Sequence, residues 1–396
     1  MKQFGTRFLQ YSLTPRMSSV NSSRGLSTSI SAAVARGVKT PFAVEQVQLR
    51  DPKPDEVLVK VVATGLCHTD IAVKERNLCS FPIVLGHEGT GVVEAVGSAV
   101  RQLQKGDHVL MSYASCGACP HCAQGKPAYC YDHGSLNFSG THPDGSVSHS
   151  KGSEKIYGSF FQQSSLATHA LVPERSVLKV NSWVRPAGGK KPLDLATLAP
   201  LGCGVQTGAG AVINTLKATA GSKLAIFGCG GVGLSAILAA KVVGCSHVVA
   251  VDMLQSKLDV AKSLGATHTV LVAKGESPAD ISKRVKDAAS AQIGVDFALD
   301  TTGNPSSLRS AFDSLRPLGV AGLIGGSTPG TEVSVNMLEL LPGKQLRGVI
   351  QGDAVPQVFL PQLLDLYAQG RFPFDKLITF YDGLESINQA FDDAHK

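Results

Sequence analysis

Four of the nine cysteines in this 396-residue chain crowd into one short stretch: Cys116, Cys119, Cys122 and Cys130 follow C-x2-C-x2-C-x7-C. Four thiolates that close in sequence can complete a tetrahedral shell and leave no position open, the arrangement of a structural zinc site. An iron–sulfur cluster also takes four thiolates, so the spacing leaves both metals open. Because no secretory signal is read in the chain, the clustering is expected to serve a metal and not disulfides. His121 falls inside the cluster as a bystander, since four sulfurs already fill the shell. A second set is dispersed: Cys67 in Gly-Leu-Cys-His-Thr-Asp, His87 in Gly-His-Glu-Gly, and Cys203 in Gly-Cys-Gly-Val-Gln-Thr-Gly. Two thiolates and one imidazole would hold zinc with a fourth position free for water or substrate. Sequence distance alone cannot bring these three together. Taken singly, each reads equally well as a buried thiol or a core histidine.

A third constellation is a glycine turn, Gly228-Cys229-Gly230-Gly231-Val232-Gly233, which fits G-x-G-x-x-G. The motif is weak alone, but here it follows a short apolar strand at 223–227 and opens an apolar helix at 231–243. Asp252 comes 19 residues after Gly233, at the end of the next strand. That full context is the dinucleotide-binding fingerprint. Gly228 permits the tight turn, Gly230 lets a pyrophosphate approach, and Gly233 lets helix and strand pack closely. The N–H groups at Gly231 and Val232 open the helix toward the phosphates. Asp252 would accept from the adenosine ribose, and its charge repels a 2′-phosphate, so NAD is favoured over NADP. The alternative is a ligand-free turn followed by an acid that caps the next helix.

These groups sit in two kinds of sequence. From about residue 32 to 180 the pattern is short β-rich pieces, at 56–61, 91–96 and 107–111, with glycine turns between them. Residues 134–165 are polar and rich in glycine, serine and histidine, and are expected to form a long surface loop carrying solvated His133, His142 and His149. From Lys223 onward strands alternate with helices: a helix over 256–265, a strand over 294–300, a helix near 305–315 and a strand over 320–325. This alternation predicts a doubly wound parallel sheet. Helices are expected over 356–370 and 384–395. No run of apolar residues is long enough for a membrane span.

The net charge of +6 has a local origin. Lys2, Arg7, Arg16, Arg24, Arg36 and Lys39 precede the first acid, Glu45, and the remaining bases balance the 31 acids. A nucleic-acid surface therefore gains no support. The serine-rich, acid-free start, with Phe4, Phe8 and Tyr11 on one helical face, reads either as a mitochondrial transit peptide or as a disordered tail with the true start at Met17.

Together, and in this order, the Cys-His-Thr-Asp segment, Gly-His-Glu-Gly, the four-cysteine lobe, the Gly-Cys-Gly segment and the glycine fingerprint resemble the zinc-containing medium-chain alcohol dehydrogenases over about residues 32–396. Cys116-Gly-Ala-Cys, Pro127-Ala-Tyr-Cys130 and Asn137-Phe-Ser-Gly resemble the aryl-alcohol (benzyl-alcohol) branch. The resemblance implies an α/β chain: a GroES-like β-rich catalytic domain plus a Rossmann doubly wound domain. The expected division is an extension at 1–31, the GroES-like domain with its zinc lobe at 32–205, the NAD domain at 206–345, and a return to the catalytic domain at 346–396 with the last strand missing. It implies two zinc ions per subunit, catalytic on Cys67, His87 and Cys203 and structural on Cys116, Cys119, Cys122 and Cys130. Thr69 would take the alcohol proton as hydride passes to NAD, Asp70 would orient His87, and Glu88 would assist ligand exchange beside the metal. His68 would approach the pyrophosphate, Thr207 the nicotinamide and Lys257 the adenosine ribose. Ser112, Tyr113, Asn137 and Phe138 are candidate pocket residues, with plain packing as the alternative. Ala72 stands where many relatives carry a relay histidine.

The expected activity is interconversion of a primary alcohol, aromatic or allylic, with its aldehyde. A polyol or secondary-alcohol dehydrogenase of the same superfamily, or a catalytically silent nucleotide-binding relative, is the alternative. The expected partners are a small-molecule alcohol or aldehyde and a second copy in a homodimer or homotetramer, with no nucleic acid and no membrane. The expected location is cytoplasmic, or the mitochondrial matrix if residues 1–31 are a transit peptide.

Overall fold

The computed structural model describes residues 6–10 (backbone only), 27–189 and 191–394. It divides into two compact units. One comprises Thr6–Cys203, Val355–Leu364 and Ile378–Lys396, the other Gly204–Ala354 and Asp365–Leu377.

The first unit is built on two sheets. In the larger, the strand order is Val177–Lys179, His108–Met111, Gly89–Val96, Glu56–Leu66, Thr6–Gln10, Ile378–Asp382, and His169–Pro173 also pairs with Glu56–Leu66. The smaller has the order Ile83–Val84, Thr28–Ala35, Phe42–Leu49, His149–Lys151, Glu154–Ile156. Strand Glu56–Leu66 explains why alternation is only partial there. Val57, Val59 and Val61 enter one core with Val93, Val109 and Val172, while Leu58 and Leu66 enter another with Val34, Leu85 and Leu166. Successive side chains point to opposite faces, and both faces are buried, so both must be apolar.

The second unit carries a six-stranded sheet in the order His268–Leu271, His247–Asp252, Lys223–Phe227, Val295–Asp300, Leu315–Leu323, Gln345–Gly348. Every pairing is parallel. Counted along the chain the order is 3-2-1-4-5-6, the doubly wound dinucleotide topology, whose crevice opens outside the carboxyl ends of strands 1 and 4. The glycine turn follows strand 1 and Thr301 follows strand 4. Strand His268–Leu271 and helix Pro278–Ala288 are not read from the sequence; the helix buries only Ile281, Ser282 and Val285 and is otherwise polar.

Two expectations change. Residues 134–165 are not a surface loop. They form a helix at His133–Phe138 and two short strands, and they bury Asn137, His142, Ser148, His149 and the whole run Ser159–Ser165. Several of their polar groups are paired internally: His142 Nε2 meets Arg50 Nη2 at 2.7 Å and the Ser159 hydroxyl at 2.9 Å, and Ser148 Oγ donates to Gly158 O at 2.6 Å. A buried polar segment is affordable only when paired in this way. The extension expected up to residue 31 also shrinks. Thr28–Ser31 pair with Gln46–Leu49, and Thr6–Gln10 is a strand and not a helix, parallel to Ile378–Asp382 and antiparallel to Ala63–Leu66. The helical face through Phe4 and Tyr11 lies outside the described residues. The closing segment carries strand Ile378–Asp382 ahead of helix Ile387–Ala394.

Candidate active site

Cys67 is the N-cap of helix His68–Glu75. The helix start is a reciprocal box: the Cys67 side chain accepts from the Asp70 backbone N–H, and Asp70 Oδ2 accepts from the Cys67 N–H at 3.0 Å. This local geometry aims the sulfur and the carboxylate the same way. Asp70, fully buried, also accepts from the Gly86 N–H at 2.9 Å and meets His87 Nδ1 at 3.2 Å. Gly86 is needed on two counts. Its φ is +94°, and a Cβ there would meet the Leu166 nitrogen at 2.4 Å. Cys203 arrives at the end of the short helix Ala196–Gly202.

The result is one buried donor set. Ligand atoms of Cys67, His87, Glu88 and Cys203 all lie within 4.8 Å of one another. His87 Nε2 is buried without a hydrogen-bond partner. A buried imidazole nitrogen beside two thiols and a carboxylate can take a metal as its partner, so the residues fit a dication. The Cys203 thiol, working against burial and helped by His87, holds Cys67 well below the ordinary thiol range. Burial disfavours the His87 cation, but Asp70 and Cys67 outweigh it and raise the imidazole well above its ordinary value. A bound metal takes over the role of these protons. The Cys67 thiol donates to Thr69 Oγ1 at 3.8 Å. His68 is exposed on the first turn of the same helix.

Cys116, Cys119, Cys122 and Cys130 form a second group with sulfurs within 4.8 Å, and none is in a disulfide. Backbone N–H groups donate to sulfur, Cys116 N to Cys130 at 3.2 Å and Cys119 N to Cys116 at 3.3 Å. N–H bonds from the Cys122 and Tyr131 backbone bring the Cys119 thiol down to about 6, whereas burial pushes Cys130 up to about 12. The set fits a closed structural zinc site. His121 turns away, its Nδ1 at 2.6 Å from Tyr129 O.

In the other unit, a Cβ on Gly228 (φ +92°) would meet Thr301 Oγ1 at 2.5 Å, and one on Gly233 would meet Gly228 O at 1.9 Å. Nothing lies within 4 Å of a Cβ on Gly230, so internal packing does not require glycine there. Helix Gly231–Val243 has no side-chain cap. The open cradle and uncapped N–H groups fit a pyrophosphate. Asp252 accepts from the Cys229 N–H at 2.7 Å and the Leu254 N–H at 3.0 Å, which holds its carboxylate at the turn. Thr207 is buried on helix Gly204–Gly210, which packs so closely on the fingerprint helix that a Cβ on Gly208 would meet Val232 O at 2.1 Å. Lys257 is half-buried on helix Gln255–Leu264.

Of the candidate pocket residues, Ser112 donates to Gly202 O at 2.8 Å, and Asn137 clasps Ala114 through both its N–H and its carbonyl. Tyr113 is buried, and Phe138 packs edge-on to Phe160 and Phe161. Sequence reading missed Phe160, Phe161 and Gln163, which surround His87, and Thr301, which faces Gly228. The one available signal for the first group is an aromatic pair inside an otherwise polar segment.

Comparison with known proteins agrees with this geometry. Residues 53–182 match the alcohol dehydrogenase GroES-like domain, and residues 231–369 match the zinc-binding dehydrogenase family. The chain is 42% identical to geraniol dehydrogenase of Castellaniella defragrans, over 93% of this chain and 95% of that protein. A zinc-binding alcohol dehydrogenase domain protein from Burkholderia ambifaria superposes with a TM-score of 0.86 at 45% identity, covering 93% of this chain and 96% of its own. Benzyl alcohol dehydrogenase from Acinetobacter calcoaceticus gives 0.84 at 43%, with the same coverage. Two zinc-fitting donor sets, a 3-2-1-4-5-6 sheet and full-length likeness of this degree have one explanation: the chain belongs to the zinc-dependent, NAD-linked medium-chain alcohol dehydrogenases.

Proposed function

We propose that the chain interconverts an aromatic or allylic primary alcohol and its aldehyde with NAD(H), through a catalytic zinc on Cys67, His87 and Cys203. The observation that carries this reading is the convergence of those three donors around a buried, partnerless imidazole nitrogen. Zinc, when bound, supplies a Lewis acid that lowers the pKa of the substrate hydroxyl, and NAD supplies the hydride acceptor. The chain's own residues then have separate tasks. Asp70 holds the His87 tautomer with Nδ1 protonated, leaving Nε2 as the donor. Thr69 receives the alcohol proton on its hydroxyl, and with Ala72 in place of a relay histidine the proton continues to solvent by another path. Glu88 offers a carboxylate beside the donor set. Asp252 and Lys257 address the adenosine ribose, Thr207 the nicotinamide and His68 the pyrophosphate. Cys116, Cys119, Cys122 and Cys130 hold a second, structural zinc.

The substrate class is supported by the relatives' names, an allylic and an aromatic alcohol dehydrogenase. Metal analysis of the purified protein should find two zinc ions per chain. NAD-dependent oxidation should be faster with geraniol and benzyl alcohol than with sorbitol; the reverse order rejects the substrate class. Cys67→Ala should leave one zinc and no turnover, and retention of either two zinc ions or activity rejects the ligand set.

We also propose a homodimer through the edge of the six-stranded sheet. Strand Gln345–Gly348 is an open edge, exposed along its length, with Leu318, Met337, Leu338 and Leu341 exposed around it. An open edge with an apolar surround is a template for another strand, and a second copy can pair with it about a twofold axis. The location is read as cytoplasmic, or the mitochondrial matrix if residues 1–31 are a transit peptide. Among the described residues no single helix is long and apolar enough to cross a membrane.

A further inference from the structure

The segment Phe160–Ser165 has an unusual backbone. Phe161, Gln162 and Ser164, none of them glycine, have φ of +50°, +51° and +48°. Residues in that region persist only when their surroundings fix them, and they concentrate at functional sites. Here the whole segment is buried. Ser164 Oγ accepts from the Phe160 N–H at 3.0 Å and donates to Val84 O at 2.6 Å. Gln162 Nε2 donates to Leu136 O and Thr141 O at 3.0 and 3.1 Å.

What the segment touches is the His87 turn. Gln163 Nε2 donates to His87 O at 2.9 Å, and its Oε1 accepts from the Gly89 N–H at 3.2 Å. The Ser165 N–H donates to Gly86 O at 3.0 Å. Phe161 lies flat on the imidazole, with ring centroids 4.4 Å apart and planes 25° apart. Phe160 meets the same imidazole only at right angles, at 5.5 Å and 83°. Phe138, edge-on at 5.2 Å, backs the Phe161 ring.

The Asp70 contact at Nδ1 fixes one point of the imidazole and leaves rotation about that contact. A flat ring face removes the rotation, because tilting the imidazole would drive it into the phenyl carbons. We propose that Phe161 is a positioning residue for the zinc ligand His87: held in a left-handed turn, its ring sets the imidazole plane so that Nε2 stays aimed at the space shared with the Cys67 and Cys203 sulfurs. The proposal rests on the zinc reading above.

The test is metal affinity in the full chain, measured by chelator competition, together with the visible spectrum of cobalt(II) substituted for the more weakly held zinc. Phe161→Leu keeps an apolar side chain but loses the flat face. It should bind one of its two zinc ions at least tenfold more weakly, within the range for groups that orient a ligand, and should shift the cobalt bands. Phe160→Leu removes an equally buried ring without the stack and should stay within about twofold of the parent, since a packing loss alone does not address the ligand plane. Parent-like affinity and spectrum in folded Phe161→Leu, or an equal loss in Phe160→Leu, overturns the proposal. Should Phe161→Leu not fold, Phe161→Tyr must retain the parent affinity and spectrum, and a folded Tyr variant with tenfold weaker zinc overturns it as well. A parent protein that binds only one zinc, or a Cys67→Ser variant that keeps two, fails the underlying zinc reading instead and is distinguishable from all of these.

Discussion

Cys67, His87 and Cys203 show what single residues can and cannot announce. The four-cysteine lobe and the glycine turn are legible because their members are neighbours in sequence. The three dispersed donors are linked only by the fold, through a capped helix start, a glycine-flanked turn and a helix end. Asp252 was legible from its distance to Gly233, and its two N–H bonds explain why the carboxylate stays put. Asp252→Ala should lower the NAD-over-NADP preference in kcat/KM by about tenfold or more, since a charge repelling the 2′-phosphate is removed; an unchanged ratio removes that role. His142 was misread as solvated. It is buried, and burial with the adjacent Arg50 guanidinium pushes it down to about 4, although Glu56 faces its other nitrogen. Lys53 and Asp144 act on it more weakly, and burial likewise takes neighbouring His149 down to about 3. The unfolded chain therefore binds protons first. The stability from His142 is complete above about pH 6.5 and is lost as pH falls toward 4, on the order of 3 kcal/mol. Urea unfolding at pH 7 and pH 4.5 should show this loss, and His142→Gln should reduce it.

Elements matter here mainly as devices that carry a side chain to one place. Helix His68–Glu75 sets Cys67 and Asp70 in a single turn. The Gly86–Gly89 turn delivers His87 beneath them only because Gly86 can take a left-handed φ against the Leu166 backbone. Gly86→Ala should cost about 3 kcal/mol from strain plus overpacking and should lower occupancy of the Cys67 zinc. Thermal unfolding with metal analysis would check it, and a variant with unchanged Tm and two tightly held zinc ions would contradict the argument. The strands and helices of the six-stranded sheet were readable wherever an apolar strand met a periodic helix. His268–Leu271 and Pro278–Ala288 were not, because an edge strand and a mostly exposed helix bury too few residues to mark the pattern. The 134–165 region was lost for a different reason. Its polar residues look like loop in sequence, but several of them pair with one another or with backbone carbonyls inside the core.

At the scale of the molecule, the open sheet edge carries a prediction of its own. Leu341→Glu together with Leu346→Lys places charge on that edge and should convert a dimer to a monomer in sedimentation velocity, with the two zinc ions retained. A parent already monomeric at micromolar concentration, or a double variant still dimeric, excludes the edge as the interface. The other large-scale feature is the strand Thr6–Gln10, which pairs with residues from opposite ends of the chain, Ala63–Leu66 and Ile378–Asp382. No sequence pattern could reveal a parallel partner so remote. During synthesis Thr6–Gln10 leaves the ribosome about 370 residues ahead of its parallel partner Ile378–Asp382. At ordinary elongation rates that interval is on the order of 20–70 s. Throughout it, a nascent chain with its zinc ligands already translated carries an incomplete sheet, so vectorial folding cannot close this sheet before Ile378–Asp382 has emerged.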